Sequence, residues 1–146
     1  MPAERALPPL DWDDPLGRSV FSSRQAKRWR SGKGESNSFL GAETEASLSV
    51  DRLDHAPDEE MAAIAEAIAE GRGPGRTFYG WSVVSVRHAS QEGRSVRASP
   101  LPDNRYHADI DLNIRPDPER PDAQKQHAND LAARATWRER PAPAGH

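Results

Sequence analysis

From Tyr106 to Ile114 apolar and polar residues alternate without a break: Tyr106, Ala108, Ile110, Leu112 and Ile114 on one side, His107, Asp109, Asp111 and Asn113 on the other. A period of two marks a half-buried strand, so this stretch is expected to build the core and to present polar chemistry at once. Shorter β patterns occupy residues 47–53, 77–86 and 95–98. The stretch 77–86 is rich in aromatic and β-branched residues, and its adjacent Val83 and Val84 predict burial on both faces of a central strand.

Three segments carry helical signals. Ser22 and Gln25 form a capping box for a helix over residues 23–30, with Phe21 placed to staple against Ala26, and Gly32 and Gly34 beyond its end. Pro57 followed by Asp58, Glu59 and Glu60 opens a second helix, whose stripe is Met61, Ile64, Ala65 and Ile68 and whose stop is Gly71. A third is expected over residues 122–137, starting after Pro121 and packing through Ala128, Leu131, Ala132 and Ala135. The order of elements predicts an α+β fold: one domain over residues 18–138, with a small, mostly antiparallel sheet and about three helices. Residues 1–17 and 139–146 are proline-rich and read as irregular tails.

Composition narrows the function classes. A chain of 146 residues supports one ordinary core, and a hydrophobic fraction of 35% with a mean hydropathy of -0.88 leaves part of it outside that core. The absence of Cys excludes disulfides, thiolate nucleophiles and Cys-ligated zinc. No apolar run reaches membrane-spanning length and no export signal opens the chain, so a cytoplasmic protein with no membrane partner is expected. Ala is abundant and Arg far outnumbers Lys, which occurs only as Lys27, Lys33 and Lys125; that bias is read as bacterial.

The net charge of -3 is distributed in blocks. Arg18, Arg24, Lys27, Arg28, Arg30 and Lys33 form a basic stretch without an acid, and residues 43–70 carry nine acids against Arg52 alone. The two blocks are expected to face each other across the fold. Arg24, Lys27, Arg28, Arg30 and Lys33, interleaved with Trp29, also suit a nucleic-acid backbone. The glycine-rich stretch at 71–76 lacks the Gly-Lys-Ser/Thr ending of a phosphate loop and is read as a connector.

His107, Asp109 and Asp111 are the catalytic candidates. Alternate residues on a strand lie about 6.6 Å apart on one face, so two of these side chains can meet one ion or substrate. His127 on the last helix would complete the set if that helix crosses the same face. No cofactor is expected.

Ser-Val-Asp at 49–51, Asn104 with His107 and Ala108, and the Leu-Ala-x-x-Ala-x-Trp segment at 131–137 together resemble a group of small uncharacterised bacterial proteins. Arg105 departs from their pattern, which has proline there. The resemblance implies one domain and a prominent His107, and it brings no established activity with it. Three functions are carried forward: an interaction or accessory protein with a protein partner, a hydrolase or nuclease-like enzyme using the His-x-Asp-x-Asp face, and a nucleic-acid-binding protein acting through the basic helix.

Overall fold

The computed structural model describes residues 7–40, 46–73, 76–114 and 120–142, without the side chains of 120 and 121. Its centre is a six-stranded antiparallel sheet. In chain order the elements are β1 (Pro15–Val20), α1 (Ser23–Arg30), a 3-10 turn (Ser36–Phe39), β2 (Ser47–Arg52), α2 (Asp58–Arg72), β3 (Gly80–Ser85), α3 (Val86–Ala89), β4 (Ser95–Ala98), β5 (His107–Asp111), α4 (Arg120–Arg134) and β6 (Thr136–Glu139). The strand order is β4-β5-β2-β1-β3-β6. The α+β class and the antiparallel sheet are as the patterning predicts.

β1 corrects the expected tail. Pro15, Leu16 and Gly17 open one of the two central strands, pairing with β2 on one side and β3 on the other. Proline is tolerated at a strand's first residue. Gly17 is required by space: a Cβ there would lie 2.7 Å from Leu53 Cδ1 and 2.9 Å from Trp81 Cδ1. β3 is consequently second from an edge, not central. At the other end, α4 stops at Arg134, and Trp137, expected at the end of that helix, lies in β6 beside Ser82 of β3. β6 runs through Glu139, inside the expected second tail; residues 1–6 and 143–146 lie outside the described residues.

Each sheet face has its own core. On the first, Leu16, Leu48, Val50, Val84, Ala108 and Ile110 pack with Trp29 of α1, Phe39 of the 3-10 turn, Val86 and Ala89 of α3, and Ala128 and Leu131 of α4. On the second, Leu53, Phe78, Trp81 and Tyr106 pack with Met61, Ala62 and Ala65 of α2. β2 and β3 both pair with β1, so α2, which joins them, crosses over β1 on that second face. Val84 enters the first core and Val83 packs against the second, as the paired valines predict.

The Ser22 side chain caps α1 by accepting from the Gln25 N–H at 3.2 Å, but Gln25 Oε1 accepts from Ser38 Oγ at 3.0 Å instead of closing the box. Phe21 packs on Phe78, ring centroids 6.3 Å apart, where a staple to Ala26 was expected. The basic and acidic helices do not face each other, because the sheet lies between them. Arg28 pairs with Glu35 at 3.0 Å and Arg30 with Glu139, while the acidic segment takes Arg138 through Asp54 and Asp58.

Buried Arg94 ties the α3 end of the first face together. It donates to the Ala89 and His88 carbonyls, to Asp130 at 2.6 Å and to His127 Nδ1 at 2.9 Å. Burial and the Arg94 charge hold His127 below the usual imidazole range. A folded-state value below the unfolded one, about 6.5, means the stabilisation is complete above that pH and is lost as pH falls through the folded value. Melting temperature should therefore decline on acidification below about pH 6.5. His127→Gln should flatten that part of the profile; an unchanged slope would mean that protonation of His127 does not drive the acid loss.

Candidate functional site

α2 covers only the β1–β3 half of the second face. Over the other half the strands present polar side chains in register: Asp51 opposite His107, Ser49 opposite Asp109, Ser47 opposite Asp111, and Arg97 opposite Asp109. Between this open half and α2 runs a groove of about 850 Å³. Its floor includes Gly17, Ser19, Ser49, Asp51 and His107. One wall is the outer side of α2, with Ala63, Ile64, Ala67 and Ile68, and the other is the loop of residues 101–106.

The α2 wall revises the expected stripe. Met61, Ala62, Ala65 and Ala69 are the buried side, whereas Ile64 is only partly covered and Ile68 is 37% exposed. Leu101, on the facing loop, is 44% exposed. Two large aliphatic side chains thus oppose each other across a polar floor, uncovered by the fold.

Asn104 fastens the loop to that floor. Its Oδ1 accepts from the Tyr106 N–H at 3.1 Å and its Nδ2 donates to Asp51 Oδ1 at 2.7 Å. Tyr106, read from the alternation as a partner of Ala108 and Ile110, turns instead into the second core and donates its hydroxyl to Glu60 at 3.2 Å. Asp51 is buried, and burial pushes its carboxyl up despite the Asn104 hydrogen bond and the nearby His107. Among the described residues no Lys or Arg pairs with it.

His107 is held from one side. Its Nδ1 lies 2.9 Å from the Ser99 carbonyl and 2.9 Å from Ser99 Oγ. A carbonyl only accepts, so Nδ1 carries a hydrogen, and Nε2 lies 4.0 Å from Asp109 Oδ1. Ser99 Oγ donates in turn to Asp109 Oδ2 at 2.7 Å. His107, Asp109 and Ser99 therefore form one network beside Asp51 and Asn104.

The sequence candidates divide. His107 and Asp109 meet; Asp111 follows on the same strand face and uses Oδ1 to accept from the Asn113 N–H. His127 does not join them, because α4 packs on the first face and His127 is held by Arg94 there. No group of three metal-ligating His, Asp or Glu side chains occurs among the described residues. Of the basic candidates, Arg28 and Arg30 are neutralised by Glu35 and Glu139, and Arg24, Lys27 and Lys33 are exposed without an acidic partner among the described residues. Trp29 is core, its Nε1 donating to Ser38 Oγ at 2.9 Å.

Asp51 and Asn104 were not among the candidates, although both stand in the motifs of the resemblance, and those motifs converge here: Ser49 and Asp51 on one strand, Asn104 and His107 across from them. Also missed was Arg52, which projects to the first face's end, donates to the Pro8 carbonyl at 2.6 Å, and lies 3.5 Å from both Asp14 and His55. It anchors the chain ahead of β1 and takes no part in the groove. No helix among the described residues is long and apolar enough to cross a membrane. No family model, no curated protein and no solved structure matches this chain.

Proposed function

We propose that this protein acts by binding: a short extended segment of a partner protein lies in the groove between α2 and the 101–106 loop, across the open half of the sheet. The observation that carries this reading is the pairing of an uncovered apolar wall, Ile64 and Ile68 facing Leu101, with a floor of polar side chains already organised by Asn104 and Ser99. Aliphatic walls supply burial, at about 25 cal/mol per Å² removed from water, and fixed polar groups supply orientation. Dimensions agree with a peptide. From Glu60 to Arg72 the helix wall rises about 18 Å, the span of about five extended residues.

Catalysis by His107 with Asp109 and Asp111 draws less support, since the fourth member of that set, His127, is on the opposite face. The basic stretch offers a nucleic acid three cations without an acidic partner among the described residues, Arg24 and Lys27 on α1 and Lys33 beyond its end.

Peptide selection from a random library tests the binding reading. Selected peptides should lose affinity by at least about tenfold, 1.4 kcal/mol, against Ala67→Trp, which fills the groove from the exposed side of α2. They should bind Ala133→Trp, an equally exposed alanine on α4, as they bind the native chain. Selection that enriches nothing, or peptides indifferent to Ala67→Trp, would overturn the reading.

A further inference from the structure

The groove lining carries three guanidiniums and three carboxyls, and they differ in how each is engaged. All three guanidiniums are occupied. Arg18 donates to the carbonyls of Ser38 at 3.1 Å, Ser49 at 2.9 Å and Leu40 at 3.4 Å. Arg72 lies over the Phe21 ring at 5.0 Å, and Arg105 over the Tyr106 ring at 5.6 Å. The acids are Glu60, engaged by the Tyr106 hydroxyl, Asp103 on the rim, and Asp51 on the floor.

Asp51 is the group without a matching partner. One neutral amide donor, Asn104 Nδ2, is bonded to it, and the neighbouring His107 hydrogen-bonds through Nδ1 to Ser99 and not to Asp51. Carboxylates taken out of water are ordinarily matched by a cation or by several donors, because one neutral hydrogen bond does not offset the lost hydration. Burial accordingly pushes its carboxyl up. No fold requirement explains a carboxyl here, since an asparagine would accept the same bond from Asn104.

We propose that the segment seated in the groove carries a Lys or Arg side chain flanked by apolar residues, and that Asp51 is the anchor for that cation. This rests on the groove being the binding site. The cation reaches the floor between Ser49 and His107, while its apolar neighbours pack on Ile64, Ile68 and Leu101. An acidic side chain at the same point would meet the Asp51 carboxyl.

Three capped pentapeptides separate the ideas: Leu-Ala-Arg-Ala-Leu, the same peptide with citrulline for arginine, which keeps the shape and removes the charge, and the same peptide with glutamate. Each is titrated into the full ¹⁵N-labelled chain and followed by amide shifts. The arginine peptide should bind about tenfold or more tighter than the citrulline peptide, the worth of one charge-assisted hydrogen bond, with the glutamate peptide weakest. Asp51→Asn should bring the arginine and citrulline peptides to equal affinity, with a melting temperature at pH 7.5 no lower than the native one; a carboxyl needed only for folding would lower it. Equal binding of arginine and citrulline peptides to the native chain overturns the cation anchor and leaves the groove. No binding by any of the three overturns both. The native-chain series decides the point by itself if Asp51→Asn folds poorly.

Discussion

Ile110→Asp should unfold the protein, whereas His107→Ala, three residues earlier on the same strand, should leave it folded. Ile110 is fully buried in the first core, between Leu48 of β2 and Val96 of β4. Aspartate there removes the aliphatic packing and leaves a charge without a partner, a combined cost of about 4 kcal/mol or more, which is a large part of the 5–15 kcal/mol typical of a domain. His107 faces the groove, and its loss forfeits the hydrogen bond to Ser99, about 1 kcal/mol. Thermal melts of the two variants measure the difference directly. Comparable losses would mean that the alternation from Tyr106 to Ile114 does not separate a core side from an open side.

Gly80→Ala should cost about 2 kcal/mol or more and release β6 from the sheet. A Cβ at Gly80 would sit 2.5 Å from the Arg138 carbonyl oxygen and 2.6 Å from Trp137 Cζ2. The first contact is with backbone, which cannot rotate away, so the strand itself must move. Hydrogen exchange at Arg140, whose N–H donates to the Tyr79 carbonyl, and at Arg138, opposite Trp81, should rise more than exchange in β5. Uniform change across the sheet, or none, would mean β6 is not held by this close approach.

How much of this was legible in the chain varies with the range of the interactions. β5 was legible because its alternation is local and unbroken, and α1 because its cap is. β1 was not: Leu16 and Val20 are four apart, a helical spacing, and the position between them that needs no side chain is a glycine whose reason is Leu53 and Trp81, distant in sequence. In β6, Thr136 and Trp137 continue an alanine-rich helical pattern, and only the pairing with β3 turns them into a strand. The α2 stripe was misplaced by one helical position for a volumetric reason. Trp81 and Phe78 already fill the sheet surface beneath, so the helix approaches through Ala62, Ala65 and Ala69 and leaves Ile68 outside.

The candidate site shows the same division. His107 and Asp109 could be read from one strand. Asp51 and Asn104 lie 53 residues apart and meet only because β2 pairs with β5, a register that no local pattern specifies. His127 could be placed on a helix but not on a face; the Arg94 cluster, built from α3, α4 and the turn between α3 and β4, decides that.

Chemical-shift mapping of a selected peptide on the full chain tests the binding reading most directly. The largest shifts should fall on Ser19, Ser49, Asp51, Ile64, Ile68 and His107, which line one groove from four separate elements. Shifts centred instead on Arg24, Lys27 and Lys33 of the basic stretch, or on the Arg94 and His127 cluster of the opposite face, would contradict it.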